Sequence, residues 1–166
     1  MTLRSQGALY GPGEGFVLPR PKVTERLALP ASATGGGLTI MEITVEPGGL
    51  VAPEHTHTRE DESAYVIEGE LTLKLGGELL TAGADSALFA PRGTPHTFFN
   101  AGTTTARMVL VVTPGNLDEY FKGIPALGAG GPPPRHRVAE HAAEYGMALR
   151  PESLAELAER HGVTLV

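Results

Sequence analysis

The chain has 166 residues and a mass of 17.4 kDa, a length that favours one domain with a sizeable core over two. Its formal net charge of −6 comes from scattered acidic residues and leaves no basic patch, so we expect no nucleic-acid partner. The chain has no cysteine, which excludes thiolate nucleophiles, disulfides and sulfur ligands. Any metal must therefore be held by nitrogen and oxygen.

The N-terminal residues lack the apolar core of a signal peptide, and no apolar run in the chain is long enough to span a bilayer. From these two observations we expect a cytoplasmic protein that has no membrane partner.

Glycine and proline punctuate short runs rich in Val, Ile, Leu and Thr, a pattern typical of antiparallel β proteins. The alternation within residues 38–45 predicts that Thr39, Met41, Ile43 and Val45 share the inward face. So many short, evenly spaced strands favour an all-β sandwich or small barrel. The predicted strands span 22–29, 38–45, 63–68, 71–75, 86–90, 97–99 and 106–113.

After residue 113 the composition changes to Ala, Glu and Arg, interrupted by a Pro-rich linker. Segments 139–149 and 155–165 resemble each other, and each predicts a helix that ends at glycine and is followed by an extended piece. Leu154, Leu157, Ala158 and His161 would form the apolar stripe of the second helix, which we expect to pack on the β domain. The predicted division is an N-terminal extension at 1–21, a barrel at 22–113, and a linker with a helical C-terminal extension at 114–166.

Two histidines one residue apart, His55 and His57, project to the same side of a strand and can both reach one point. Neutral imidazoles are common ligands of divalent metals, although the pair alone also fits a solvated turn. Glu62 could add an oxygen ligand from the neighbouring strand. His96, at the start of a later strand, would be a fourth ligand.

The spacing around these residues resembles two motifs of the cupin superfamily. The first runs from Gly49 through five residues to His55-x-His57, then four residues to Glu62 and six to Gly69. The second has Pro91-x-Gly93, two residues, His96, three residues and Asn100, and departs from the family only in a slightly longer spacer after Gly83. The spacer lies before the ligand, so the departure leaves His96 unaffected. The similarity covers residues 22–113 and is that of compact single-domain microbial cupins.

The resemblance implies a cupin double-stranded β-helix, a jelly roll of two packed sheets. It also implies that His55, His57, Glu62 and His96 surround one metal inside the barrel. Imidazoles with one carboxylate suit one divalent transition metal, Fe, Mn, Co, Ni, Cu or Zn, and leave positions open for water, dioxygen or substrate. The sequence does not choose among these metals.

Other residues are candidates for the wall of the barrel cavity. Phe98, two residues beyond His96, is predicted to be pocket wall; Met41, Ile43 and Met108 are further candidates, with core packing as the alternative for each. The acidic residues that flank the ligands, Glu54, Glu60 and Asp61, occupy turn positions or the opposite strand face, which predicts that they are solvated.

The favoured function is a metal-dependent dioxygenase that acts on a small, largely apolar organic oxyanion such as an enol, diketone or flavonol, with Glu62 as ligand and proton acceptor. The tail that begins near residue 113 loosely resembles the C-terminal extension of quercetinase-like cupins. The alternatives are a non-redox isomerase, lyase or cyclase, and a non-catalytic binding module for a small molecule. No Lys or Arg has inward parity on the motif strands, which argues against a phosphorylated substrate.

We also expect a homodimer, because two-fold dimers are the commonest oligomers and sheet edges offer pairing surfaces. The Pro-rich N-terminal segment could cross to a partner in such a dimer.

Overall fold

The computed structural model describes residues 7–128 and 130–165, and eleven strands in these ranges form two antiparallel sheets. The strands are β1 (Phe16–Arg20), β2 (Val23–Leu29), β3 (Thr39–Val45), β4 (Glu54–His57), β5 (Asp61–Glu68), β6 (Glu70–Leu75), β7 (Glu78–Gly83), β8 (Ala87–Ala90), β9 (His96–Phe99), β10 (Ala106–Thr113) and β11 (Met147–Arg150). The helices are α1 (Ala31–Thr34), α2 (Asp118–Gly123), α3 (Arg135–Glu144) and α4 (Ser153–His161), and a 3₁₀ turn covers Ile124–Gly128.

One sheet has the strand order β1-β2-β3-β10-β5-β8 and the other has the order β11-β4-β9-β6-β7. The two sheets pack through their apolar faces and enclose the core, which is the predicted all-β jelly roll. All seven predicted strands are present, each within two residues of its predicted bounds.

The inward face of β3 shows why the chain folds this way. Thr39, Met41, Ile43 and Val45 are each 0% exposed, as their alternation predicted. Full burial of an aliphatic side chain of this size contributes roughly 1.5–3 kcal/mol. A strand with this alternation is therefore much more stable with its apolar face inward than with that face in solvent.

Two strands were missed in the sequence, β1 and β7; β4 was implied by the placement of His55 and His57 on one strand, and β11 is the extended piece predicted after the first helix of the tail. β7 follows a two-glycine hairpin in which Gly76 and Gly77 have positive φ, but its side chains are mostly exposed, so it shows no alternation. β1 lies within the predicted N-terminal extension and pairs with β2 of the same chain. Residues 16–20 of the N-terminal segment therefore extend a sheet of their own chain.

Both related segments of the tail have the predicted helix, glycine and extended piece. Gly146 follows α3 and Gly162 caps α4, both with positive φ. The first extended piece is β11, which pairs with β4, and the second forms a bridge between Thr164 and Gly49. The tail thus adds to the sheet that carries β4.

The helix α4 packs on the barrel through Leu154 and Leu157, which join a small core cluster with Phe99. The ring of His161 lies 4.9 Å from that of Phe99. Ala158 is exposed, so its place in the predicted apolar stripe was wrong. No described helix has the length and apolar character needed to cross a membrane.

Candidate metal centre

The strand β4 lies between β11 and β9 and carries His55 and His57 on its inward face, both buried. His55 is paired directly with His96 of β9, and their ring centroids are 4.5 Å apart. The three imidazoles therefore come from one sheet, and two adjacent strands fix their positions.

The carboxylate comes from the opposite sheet. Glu62 is 5% exposed and lies on β5, where it pairs with Ala90 of β8. Its Oε1 lies 3.1 Å from Nε2 of His57, and its Oε2 lies 3.2 Å from Nε2 of His96. One carboxylate thus faces two imidazoles across the barrel interior.

Donor atoms of all four residues lie within 4.8 Å of one another, and all four residues are buried. Three nitrogens and one carboxylate oxygen are a donor set that could hold a divalent transition metal. The structure brings together the four residues that the two motifs indicated: His55, His57, Glu62 and His96.

The outer nitrogen of each imidazole faces an acceptor. Nδ1 of His55 donates to the carbonyl of Pro53 at 2.9 Å, and Nδ1 of His96 donates to that of Thr94 at 3.0 Å. Nδ1 of His57 lies 3.5 Å from Oε2 of Glu60. The two carbonyl partners hold the rings of His55 and His96 and place a proton on Nδ1, which leaves Nε2 to bind a metal.

The surroundings shift the pKa values of the cluster. Burial, together with the neighbouring His96 and His57, lowers the pKa of His55 to about 3, so this ring is neutral at physiological pH. Burial alone would raise the pKa of Glu62, but the adjacent imidazoles of His57 and His96 outweigh it and hold that pKa well below its usual range. Burial would lower the pKa of His96, but the hydrogen bond and negative charge of Glu62 raise it.

Both ring nitrogens of His57 and Oε2 of Glu60 are buried, and none of the three has a hydrogen-bond partner among the described residues. Buried polar atoms without partners are rare in folded proteins because leaving them unpaired is costly. A metal on Nε2 of His57 would satisfy one of these atoms. The residues present therefore fit a metal ion.

A cavity of about 490 Å³ opens beside the cluster and is lined mainly by apolar side chains. His55, His57 and Glu62 form part of its wall. The tail closes another part of it through Tyr120 of α2 and Leu149 of β11. The remaining apolar lining includes Leu18, Pro21, Val51, Pro53, Leu110, Leu117, Phe121, Ile124, Val138, Met147 and Leu154.

The candidates for pocket wall divide into two groups. Phe98 and Ile43 line the cavity. Met41 and Met108 do not; both are 0% exposed and pack in the core. The cavity reaches β3 and β10 at Ile43 and Leu110, which are diagonal neighbours in the strand pair, so it passes between the two methionines.

Two flanking carboxylates that were expected to be solvated are buried. Glu60 is 1% exposed because the turn after β4 folds it back against His57. Glu54 is 7% exposed, and ion pairs with Lys74 and Arg150 compensate its charge. Glu60 stands three residues after His57, and that spacing was the only sequence signal for its role. Asp61 is half-buried and pairs with Arg92.

Three charged residues of the cavity wall lie outside the motifs and were missed: Arg20, Glu25 and Arg135, the last of which is exposed on α3. Arg20 on β1 and Glu25 on β2 both line the cavity and form an ion pair of 3.0 Å. The expectation that no cationic side chain reaches the interior holds for the motif strands but not for the whole barrel.

A comparison with models of known protein families identifies the domain at the centre of the chain. Residues 41–112 match the model of the cupin domain family. The chain contains a cupin domain. This agrees with the resemblance carried by the two motifs and with the jelly roll.

Among relatives, this chain is 39% identical over 93 residues to the tetracenomycin polyketide synthase protein TcmJ of Streptomyces glaucescens, covering 55% of this chain and 60% of that protein. It is 30% identical over 106 residues to oxalate oxidase 2 of Hordeum vulgare, covering 59% of this chain and 47% of that protein. The chain thus spans only about half of the length of these curated relatives. KdgF from Halomonas sp. shares the fold, with a TM-score of 0.57 at 19% identity over 66% of this chain and 94% of that one.

Proposed function

We propose that the chain is a metal-dependent enzyme acting on a small, largely apolar organic oxyanion, such as an enol, diketone or flavonol-like compound. One divalent transition metal, Fe, Mn, Co, Ni, Cu or Zn, would be held by His55, His57, Glu62 and His96. The observation that carries the proposal is the buried nitrogen-rich cluster in the wall of an apolar cavity of about 490 Å³. A cavity of this size, apolar with a few convergent polar groups, is typical of small-molecule sites.

A bound metal of this kind supplies Lewis-acid stabilisation of an oxyanion and, if it is redox-active, a site for dioxygen. The residues of the chain supply the remainder. Ile43, Phe98 and Leu110 offer an apolar wall for a flat substrate and exclude water from the cluster. The low pKa of His55 keeps that ring neutral, the form in which imidazole binds a metal.

In this proposal Glu62 is catalytic, as metal ligand and as proton acceptor. Its depressed pKa keeps the carboxylate ionised, which is the form that binds a cation. Glu62 also lines the cavity, so a bound substrate would lie beside it.

The first candidate reaction is oxygenation. Support comes from the loose resemblance of the tail to quercetinase-like cupins and from the similarity to a relative named as an oxalate oxidase. The nitrogen-rich donor set suits the redox-active metals that such a reaction needs.

The second candidate is non-redox chemistry: ring closure, isomerisation or elimination on an enolisable carbonyl compound. The 39% identity to a polyketide synthase protein favours it, since polyketide chains are rich in such carbonyls. The cavity also holds a buried carboxylate outside the cluster, Glu25, which could carry protons. Binding without turnover is the third possibility.

Oxygen consumption distinguishes these candidates. The chain is loaded in turn with each of the six metals and mixed with a panel of flavonols, β-diketones and linear polyketones, with and without air. Oxygen uptake coupled to loss of substrate supports a dioxygenase. Conversion under nitrogen supports the non-redox reaction. Binding without any conversion would contradict the proposed enzyme and leave a binding module.

The predicted homodimer and the predicted cytoplasmic location remain proposals. In the part of the chain that the structure describes, β1 has no neighbour on its outer edge, and such an edge is available for pairing with a second copy. Light scattering at micromolar concentration measures the assembly; a monomer would contradict the dimer.

A further inference from the structure

The N-terminal hairpin brings a charged pair into the apolar cavity. Glu25 lies on β2 between Leu18 of β1 and Ile43 of β3, and all three side chains line the cavity. Val23 and Leu27 flank Glu25 on the same inward face. A carboxylate therefore occupies an inward position of β2 at which the alternation of the strand predicts an apolar residue.

The partner of this carboxylate is only partly satisfied. Nη2 of Arg20 lies 3.0 Å from Oε2 of Glu25 and donates to the carbonyl of Val51 at 2.6 Å. Its Nε is buried and has no hydrogen-bond partner in the ranges that the structure describes. An ion pair with only a structural role would be expected to satisfy this donor, because a buried N–H left unpaired is costly.

The ion pair with Arg20 offsets only part of the cost of burying the charge of Glu25. Burial raises the pKa of Glu25, Arg20 opposes that effect, and the charge of Glu62 adds to it. The charge of Glu25 in turn helps burial to raise the pKa of Tyr120, which lines the same cavity from α2. Arg20, Glu25 and Tyr120 line the same cavity as His55, His57 and Glu62 of the cluster.

We propose that Arg20 and Glu25 form a second recognition site in the cavity, which binds an uncharged oxygen group of the substrate while the His/Glu cluster receives its oxyanion. The guanidinium of Arg20, whose side chain is 21% exposed, would donate to a carbonyl or hydroxyl oxygen, and Glu25 would accept from a hydroxyl. This inference rests on the proposed function and narrows its substrate class to compounds with at least two separate oxygen-bearing groups.

The pair favours an uncharged oxygen group over an anion. Arg20 is already neutralised by Glu25, so the pair offers no net positive charge to a phosphate or a second carboxylate of the substrate; Arg135, which also lines the cavity, is exposed on α3. A hydroxylated aromatic ketone or a folded polyketone meets the requirement, because it is largely apolar and carries several neutral oxygens.

The test compares flavonols. Unsubstituted flavonol and flavonols carrying one further hydroxyl, on each ring position in turn, are titrated by fluorescence into the full chain loaded with redox-inert zinc. We expect at least one hydroxylated compound to bind about tenfold more tightly than flavonol, the gain typical of a hydrogen bond to a charged group.

Two double variants with the same kinds of substitution test whether the tighter binding depends on Arg20 and Glu25. Arg20→Met with Glu25→Leu replaces the cavity pair by apolar side chains of similar size, a change that folded proteins often tolerate. Arg26→Met with Glu42→Leu makes the same change at an ion pair on the outer face of β2 and β3. The cavity variant should bind all the compounds within about twofold of one another, whereas the control should keep the gain.

If the cavity variant does not fold, Glu25→Gln serves in its place, since it keeps the shape and loses the charge; the gain should fall there too. Equal binding of all compounds by the parent chain, or an unchanged gain in the cavity variant, would overturn the second site and leave the proposed function standing. Binding of no flavonol by the parent would overturn the proposed substrate class, and this proposal with it.

Discussion

Nε2 of His57 lies 3.1 Å from Oε1 of Glu62, although the two residues belong to different sheets. The histidine is on β4, in the sheet extended by the tail, and the carboxylate is on β5, in the sheet extended by the N-terminal hairpin. The cluster therefore exists only when the two sheets are packed. Burial of the core brings the donors together, and a bound metal would in turn stabilise the packed barrel by linkage.

Glu60 is predicted to support metal binding without touching the metal. Its carboxylate is 1% exposed and faces Nδ1 of His57 at 3.5 Å, which orients the ring and makes it a stronger ligand. Glu60→Gln should lower zinc affinity about tenfold, measured by competition with a chelating dye. Asp61→Asn changes the adjacent carboxylate, which pairs with Arg92, and should leave the affinity unchanged. Equal effects of the two substitutions would contradict the role of Glu60.

Glu62→Gln separates the two roles of this residue. The substitution keeps the size of the side chain but removes its charge and basicity, so zinc affinity should fall. Activity measured per bound metal should fall further, by roughly 100-fold or more, if the carboxylate moves protons. Full activity at saturating metal would show that Glu62 is a ligand only.

Metal affinity is predicted to depend on pH through His96. In the metal-free chain this ring donates to Thr94 through Nδ1 and contacts Glu62 through Nε2, an arrangement that favours the doubly protonated imidazolium and raises its pKa. A metal must displace the proton on Nε2. Affinity should therefore rise with pH and level off above the pKa of His96, with a proton released on binding, as calorimetry in buffers of different ionisation enthalpy can measure.

The stability of the metal-free chain should show the opposite trend. Because the folded pKa of His96 is above its unfolded value of about 6.5, the pair with Glu62 stabilises the fold fully below that pH and loses this effect as the pH rises through the folded value. In Glu62→Gln the histidine should titrate at a lower pH, by NMR of its ring protons. An unchanged pKa would contradict the pairing.

The sequence predicted the cluster because all four residues lie within two motifs of fixed spacing, and the alternation of β3 predicted its inward face. The sequence did not predict which charged side chains line the cavity beside the cluster. Arg20 and Glu25 stand outside both motifs; the strand of Glu25 was assigned to the barrel, but the strand of Arg20 was not, and no local pattern pairs the two residues across the cavity wall. Glu60 was misjudged for a different reason: its burial depends on how the turn after β4 folds back, which strand parity does not describe.

For the tail, too, the sequence predicted local structure but not long-range pairing. Its helices and their terminal glycines follow from local rules, and these were predicted. That β11 would pair with β4 and flank the histidine strand depends on long-range contact, which local patterns do not specify.

The docking of α4 can be tested through Leu157, which is 1% exposed in the cluster with Leu50, Phe99, Leu154 and Val163. Leu157→Ala should lower the free energy of unfolding by about 2–5 kcal/mol, measured by denaturant titration. The matched change Leu79→Ala, at a residue that is 51% exposed on β7, should change it by about 0.5 kcal/mol or less. Similar costs at both positions would contradict the docking of α4 on the barrel.

Metal analysis of the ligand variants tests the central claim most directly. The parent chain and His55→Ala, His57→Ala and His96→Ala are stripped, reloaded with each of the six metals and desalted, and the metal per chain is measured by mass spectrometry. The parent should hold about one ion per chain with at least one of the metals. Each variant should bind that metal at least 100-fold more weakly, because the loss of a ligand costs more affinity than the loss of a hydrogen-bond partner of a ligand. His136→Ala, at an exposed histidine of α3, should match the parent. A parent that holds no metal, or three variants that hold it as well as the parent does, would contradict the account.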